Sequence, residues 1–220
     1  MTEVKICGMV RREDVEAANA YRPDYAGFVL FFPNSKRNLP LTEAAKLKDL
    51  LDSGIRSVAV TVSPTAGQAK EIEEAGFDMI QIHGELNQEV YDFLSIPILR
   101  ACNVKEGEAL ESQIRSGRPE TGKDKIVGYV IDSKKPGSGK PFDWTLLQDP
   151  AFRAELDGRG RKLILAGGID EANVEEAIRL VKPDVIDLSS SVELADDGGR
   201  SRGKDPEKMR AMIRKVHDAE

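Results

Sequence analysis

Lys162-Leu163-Ile164-Leu165-Ala166-Gly167-Gly168-Ile169 is an apolar run that ends in two glycines and passes at once into a helical pattern from Glu171. It reads as strand, turn, helix. A run without polar alternation suits a parallel strand buried on both faces. Paired glycines let backbone N–H groups approach an anion closely at a helix N-terminus, and phosphate is the natural ligand there. A tight turn with no ligand has the same local sequence.

Outward from this stretch the same theme repeats: a short β-branched run, a glycine or polar loop, then a longer amphipathic segment. Strands are expected near Val4 to Cys7, Tyr25 to Leu30, Arg56 to Val62, Met79 to Ile82, Pro97 to Cys102, Ile126 to Asp132, Lys162 to Ala166 and Asp184 to Leu188. Helices are expected over Arg12 to Asn19, Thr42 to Leu51, Gly67 to Ala75, Gln88 to Leu94, Gly107 to Ile114, Glu171 to Leu180 and Pro206 to Val216, with a short one near Asp143 to Leu147. About eight such units in 220 residues favour an α/β fold closed into a single (β/α)8 TIM barrel, one domain over residues 1–220. An open, doubly wound sheet is the alternative.

Composition narrows the function classes. The chain is 40% hydrophobic and 32% charged with a formal net charge of −6, its acidic and basic residues interspersed. Such a surface offers nothing for non-specific binding to nucleic acid or an anionic membrane. No apolar run is long enough to span a bilayer, and Met1 to Val10 carries internal charges, so a soluble, cytoplasmic protein is expected. Two cysteines, Cys7 and Cys102, make no disulfide framework, and two histidines, His83 and His217, are too scattered for a metal cluster. No metal is implied.

In a barrel, the chemistry collects where strands end. Cys7 closes the first strand, and Lys5 shares its face two residues earlier, placed to stabilise a thiolate; a small buried hydrophobe is the plain alternative for Cys7. Asp132 closes the apolar sixth strand, either as a cap for the next loop or as an acid with a raised pKa. Arg37, in the loop Pro33 to Asn38, has the fork that matches a substrate carboxylate, or else it is a surface arginine. His83 follows the fourth strand, where a lone histidine is more often structural. Asp187 precedes Ser189-Ser190-Ser191, whose hydroxyls and N–H groups suit the second half of a phosphate cradle with Gly167-Gly168, the loops after strands seven and eight. Three loops are long and polar: Ser116 to Lys125, at the stability end, and Ser133 to Pro141 and Ala195 to Lys204, at the chemical end. The second of these reads equally as a loop closing over a ligand or as a plain solvated one.

Several motifs in this order make the chain resemble the phosphoribosylanthranilate isomerase family of tryptophan biosynthesis. They are Lys5-Ile6-Cys7-Gly8-Met9, Gly27-Phe28 with Ser35-Lys36-Arg37, Gln81-Ile82-His83-Gly84-Glu85, Asp132 ahead of Gly139-Lys140-Pro141-Phe142-Asp143-Trp144, Ala166-Gly167-Gly168 with Asn173-Val174, and Asp187 to Glu193 ahead of Lys204-Asp205. The resemblance implies an Amadori rearrangement of N-(5'-phosphoribosyl)anthranilate without a cofactor, by a monomer or homodimer whose partner is a small phosphorylated substrate. It implies Cys7 as general base and Asp132 as general acid. Lys5, Arg37, His83 and Asp187 would contact substrate, and Gly167, Gly168, Ser189, Ser190 and Ser191 the phosphate. Three positions depart from the family pattern: Pro136-Gly137-Ser138-Gly139 replaces Gly-Gly-Thr-Gly, Ser191 replaces a glycine, and Val58 to Val62 differs from the customary Val-Gly-Val-Phe. A serine forced to positive φ at 191 would cost about 1 kcal/mol or move the loop. Another phosphate-sugar barrel enzyme, an epimerase or synthase without need of Cys7, and a silent phosphosugar-binding barrel are the competing readings.

Overall fold

The computed structural model describes residues 1–103, 110, 112, 114, 124–132, 143–194 and 201–219. Eight parallel strands run in chain order around a barrel: β1 (Glu3–Cys7), β2 (Tyr25–Leu30), β3 (Arg56–Val62), β4 (Met79–His83), β5 (Ile98–Asn103), β6 (Ile126–Asp132), β7 (Lys162–Leu165) and β8 (Val185–Leu188). β8 pairs back onto β1 with Lys5 opposite Asp187, and β1 pairs with β2, so the sheet closes. The open-sheet alternative is thereby excluded.

The apolar strands divide their residues between two cores. Cys7, Tyr25, Val29, Val58, Val60, Met79, Leu99, Val130 and Ile164 pack with one another inside the barrel. Their neighbours in sequence, among them Ile6, Phe28, Leu30, Ala59, Ile80, Ile131 and Leu165, pack outward against the helices. Successive side chains of a strand point to opposite faces, so a strand apolar on every residue is what an inner and an outer core together demand.

The surrounding helices are α1 (Arg12–Tyr21), α2 (Leu41–Lys48), α3 (Ala66–Glu74), α4 (Gln88–Phe93), α5 (Pro150–Asp157), α6 (Val174–Val181) and α7 (Pro206–Asp218). α6 buries Val174, Ala177, Ile178 and Val181, the i, i+3, i+4, i+7 stripe of a helix laid on a sheet. α3 begins with a capping box, Thr65 Oγ1 accepting from Gln68 N while Gln68 Oε1 accepts from Thr65 N.

Some local expectations need correction. The segment expected to be a helix from Glu171 starts only at Val174, because Asp170 and Asn173 side chains cap backbone N–H groups in a turn before it. The segment near Asp143 to Leu147 is a 3-10 helix over Trp144–Gln148. α5 was not expected at all, although Asp149 caps Ala151 N at 2.8 Å and Pro150 opens the first turn. Asn38–Leu39 is a two-residue strand beside β2, within a stretch read as loop.

The helix expected over Gly107 to Ile114 lies outside the described residues except at three positions, of which Leu110 and Ile114 are buried. The loop Ser133 to Pro141, with its Pro136 departure, lies outside them, as do most of Ser116 to Lys125 and residues 195–200. Cys7 and Cys102 are both buried, and no disulfide joins them. Among the described residues no helix is long and apolar enough to cross a membrane, and no group of three His, Cys, Asp or Glu side chains is placed to hold a metal ion.

Candidate active site

A cleft of about 410 Å³ opens at the C-terminal ends of the strands. Cys7, Arg37, His83, Asp132, Gly167, Gly168, Asp187, Ser189 and Ser190 all line it. Val29, Phe32, Val60 and Val62 supply one apolar wall, and Gln81 and Asn103 add amides between the charged groups. A larger, open hollow of about 1090 Å³ lies at the other end of the barrel, around Met1, Glu175, Arg179 and Asp184. No strand delivers a C-terminal residue there, so it sits at the end where barrels do not place chemistry.

Lys5 does not line the cleft. It lies one layer deeper, fully buried, with Nζ 3.0 and 2.9 Å from Oδ1 and Oδ2 of Asp187. Burial alone would strip its charge. The Asp187 carboxylate, and after it the Cys7 side chain, outweigh burial and hold the ammonium above its ordinary pKa. The space for this comes from Gly27 on β2, where a Cβ would stand 3.1 Å from Cys7 Sγ and 3.3 Å from Lys5 Nζ. Thiol and ammonium are thus packed against bare backbone. Asp132 is buried at the end of β6, opposite Asn103 on β5.

Arg37 crosses the end of β1 and meets Glu193, with Nε 2.5 Å from Oε1 and Nη2 3.1 Å from Oε2. Glu193 also receives Lys36 at 3.2 Å and the fully buried Lys204 at 3.3 Å. Burial raises the Glu193 pKa, but the Arg37 hydrogen bonds and the charges of Lys204, Arg37 and Lys36 prevail and bring it down to about 2. Lys204 Nζ donates in addition to the Ser189 carbonyl at 3.1 Å.

His83 is neutral at physiological pH: burial, then the charges of Lys5 and Arg100, lower its pKa to about 4. Gln81 Nε2 stands 2.8 Å from His83 Nε2. With the amide nitrogen as donor, the ring accepts there and carries its proton on Nδ1.

Gly167 and Gly168 turn with φ of +83° and +72°, and Asn173 Nδ2 donates to the Gly168 carbonyl at 2.8 Å, tying the turn to the start of α6. Ser189 Oγ donates to the Cys7 carbonyl at 3.0 Å, which joins the end of β8 to the end of β1. Ser190 faces the cleft. Ser191 is not among the lining residues; its hydroxyl is buried without a hydrogen-bond partner among the described residues, and its φ is not positive, so the strain foreseen for a serine at this position does not arise.

The sequence points to the ionisable residues and the Gly-Gly turn of the cleft but not to Gln81, Asn103 and Phe32, which also line it, nor to Glu193 and Lys204, which lie outside the lining. Glu193 and Lys204 stood inside recognised motifs, yet nothing in their spacing said that one would receive Arg37 and the other would be buried beneath it.

A closed (β/α)8 barrel that gathers a thiol, two carboxylates, an arginine and a Gly-Gly turn at one mouth defines a class, the barrel enzymes that work on small anionic substrates. Comparison with known proteins narrows it. The family model described as N-(5'phosphoribosyl)anthranilate (PRA) isomerase matches residues 4–215. The N-(5'-phosphoribosyl)anthranilate isomerase of Thermoanaerobacter sp. (strain X514) is 37% identical over 98% of each chain. The crystal structure of phosphoribosyl anthranilate isomerase from Thermotoga maritima superposes with a TM-score of 0.80 at 28% identity, covering 99% of this chain and 100% of that one. A crystal structure of a phosphoribosyl anthranilate isomerase in complex with reduced 1-(o-carboxyphenylamino)-1-deoxyribulose 5-phosphate gives a TM-score of 0.79 at 26% identity over 99% and 100% of the two chains. The chain belongs to the N-(5'-phosphoribosyl)anthranilate isomerase family, the isomerases of tryptophan biosynthesis.

Proposed function

We propose that this chain performs the Amadori rearrangement of N-(5'-phosphoribosyl)anthranilate to 1-(2-carboxyphenylamino)-1-deoxyribulose 5-phosphate, with Cys7 as general base and Asp132 as general acid. The observation that carries this reading is that Cys7 and Asp132, from β1 and β6, line one cleft with Arg37 and with the Gly167-Gly168 turn. A substrate with an aromatic carboxylate at one end and a phosphate at the other uses all four. The relative bound to the reduced product analogue supports the same assignment.

In this mechanism Arg37 holds the anthranilate carboxylate, a planar fork on a planar acceptor. Gly167, Gly168, Ser189 and Ser190 take the phosphate, with the start of α6 behind the turn adding its dipole. His83 and Asp187 contact the sugar. Asp132 protonates the furanose ring oxygen, the bond from C1' to that oxygen breaks, and the anilino nitrogen supplies the electron pair of a protonated Schiff base. Cys7 then removes the proton from C2', the electron pair passes to the iminium nitrogen to give an enolamine, and gain of a proton at C1' with loss of the 2'-hydroxyl proton leaves the ketone at C2' and the amine on a reduced C1'. Oxidation at C2' and reduction at C1' balance within one molecule, so no external oxidant or reductant is needed. Lys5 sits beside the thiol, and Asp187 holds that lysine in place. Each proton-transfer group is worth about 10² to 10⁴ in rate.

The enzyme works in the cytoplasm as one domain over residues 1–220, as a monomer or homodimer. The direct test generates phosphoribosylanthranilate from anthranilate and phosphoribosyl pyrophosphate with a transferase and follows loss of its fluorescence on adding this protein. Consumption well above the spontaneous rate is expected; a folded protein that leaves the signal unchanged would overturn the assignment.

A further inference from the structure

Glu193 ties the loop after β2 to the segment that leads into α7. Arg37 and Lys36 reach it from the loop after β2, Ser201 Oγ lies 3.3 Å from its Oε1, and Lys204 reaches it from the approach to α7. Its side chain is almost wholly buried, and Lys204 is fully so. A carboxylate in that position has little freedom: Lys204 fixes it from below, and Lys204 is itself pinned by the Ser189 carbonyl and, through its backbone N–H, by Asp14 Oδ1 at 2.7 Å. Arg37 has a long side chain with several rotatable bonds, and leaving it unrestrained costs the ordering entropy at each binding event. Paired through both Nε and Nη2, its guanidinium plane is set before any ligand arrives.

We propose that Glu193 is a positioning residue whose carboxylate, fixed by Lys204, presets the plane and direction of the Arg37 guanidinium at the cleft. It does not touch the reacting atoms. Its contribution is to ground-state binding of a carboxylate-bearing substrate, and it acts only through Arg37. This rests on the reading of Arg37 as the carboxylate clamp.

The test is a kinetic cycle on the full chain with Glu193→Gln, Arg37→Ala and the double variant, each checked for folding by circular dichroism. In the Arg37 background, Glu193→Gln is expected to raise KM for phosphoribosylanthranilate about tenfold with kcat held within about twofold, the pattern of lost uniform binding. On top of Arg37→Ala it is expected to add nothing, because the group it positions is gone. Glu193→Asp, which keeps the charge but moves it by one methylene, gives the same pattern at smaller size and serves if the glutamine variant does not fold. Equal losses in both backgrounds, or a fall in kcat at unchanged KM, would overturn the inference while leaving the isomerase reading intact. A wild-type KM in Arg37→Ala alone would remove the carboxylate clamp itself, and the positioning role with it.

Discussion

Lys5 and Asp187 stand 182 residues apart in the chain and meet inside the barrel, one ammonium bonded to both oxygens of one carboxylate at 3.0 and 2.9 Å. The contact exists because β1 and β8 are the seam where the sheet closes, with these two residues in register. Burying both charges is costly, and the pair is stable only while both partners are present.

Lys5→Met is therefore expected to destabilise the fold by about 3–5 kcal/mol, since it leaves the Asp187 charge buried and unpaired. Lys5→Met combined with Asp187→Leu should cost less than Lys5→Met alone, because the two charges leave together. Urea denaturation of the three proteins checks this; a double variant less stable than Lys5→Met would contradict it.

Acid sensitivity follows from His83. Its folded-state pKa, about 4, lies below the ordinary value of 6.5, so between those values the unfolded chain binds a proton that the folded chain refuses. Stability from this group is complete above about pH 6.5 and is lost as pH falls towards 4, by about 2 kcal/mol between pH 7 and pH 5. Glu193, held at about 2 against 4.5, adds a second loss that begins only below about pH 4.5. His83→Gln should flatten the first of these and leave the second. Denaturant midpoints at pH 7, 5 and 4 decide it, and an unchanged midpoint between pH 7 and 5 would count against an imidazole held neutral in the fold.

Gly8 has φ of +85°, and a Cβ there would run into the Cδ of Arg37. Gly8→Ala is expected to cost about 1–2 kcal/mol in backbone strain and to push Arg37 off its path. Thermal unfolding should drop, and KM should rise more than kcat falls. A variant with wild-type KM would show that Arg37 keeps its place by another route.

The barrel was legible because runs such as Tyr25-Ala26-Gly27-Phe28 and Ile164-Leu165-Ala166 carry no polar alternation, as a sheet covered on both faces demands. Strand ends shifted by a residue, as at His83 and Asn103, because hydrogen-bond pairing rather than hydropathy ends a strand. Phe152 and Leu156 on α5 follow a polar Asp149-Pro150 start in a segment dense with charges, which hid a short helix. Cys7, Arg37, Asp132 and the Gly167-Gly168 turn were visible as polar residues at strand ends. The ion-pair partners of Arg37 and of Lys5 were not. That Arg37 meets Glu193 and that Lys5 meets Asp187 depends on which strands and loops closure brings together, information that no local window of sequence carries.

The proposed roles of Cys7 and Asp132 as the proton-transfer pair of one cleft meet their sharpest test in turnover of phosphoribosylanthranilate by Cys7→Ala and Asp132→Asn. Each variant should lose about 10²-fold or more in kcat while remaining folded and still binding reduced 1-(o-carboxyphenylamino)-1-deoxyribulose 5-phosphate. A folded Cys7→Ala or Asp132→Asn that turns over substrate at the wild-type rate would contradict them.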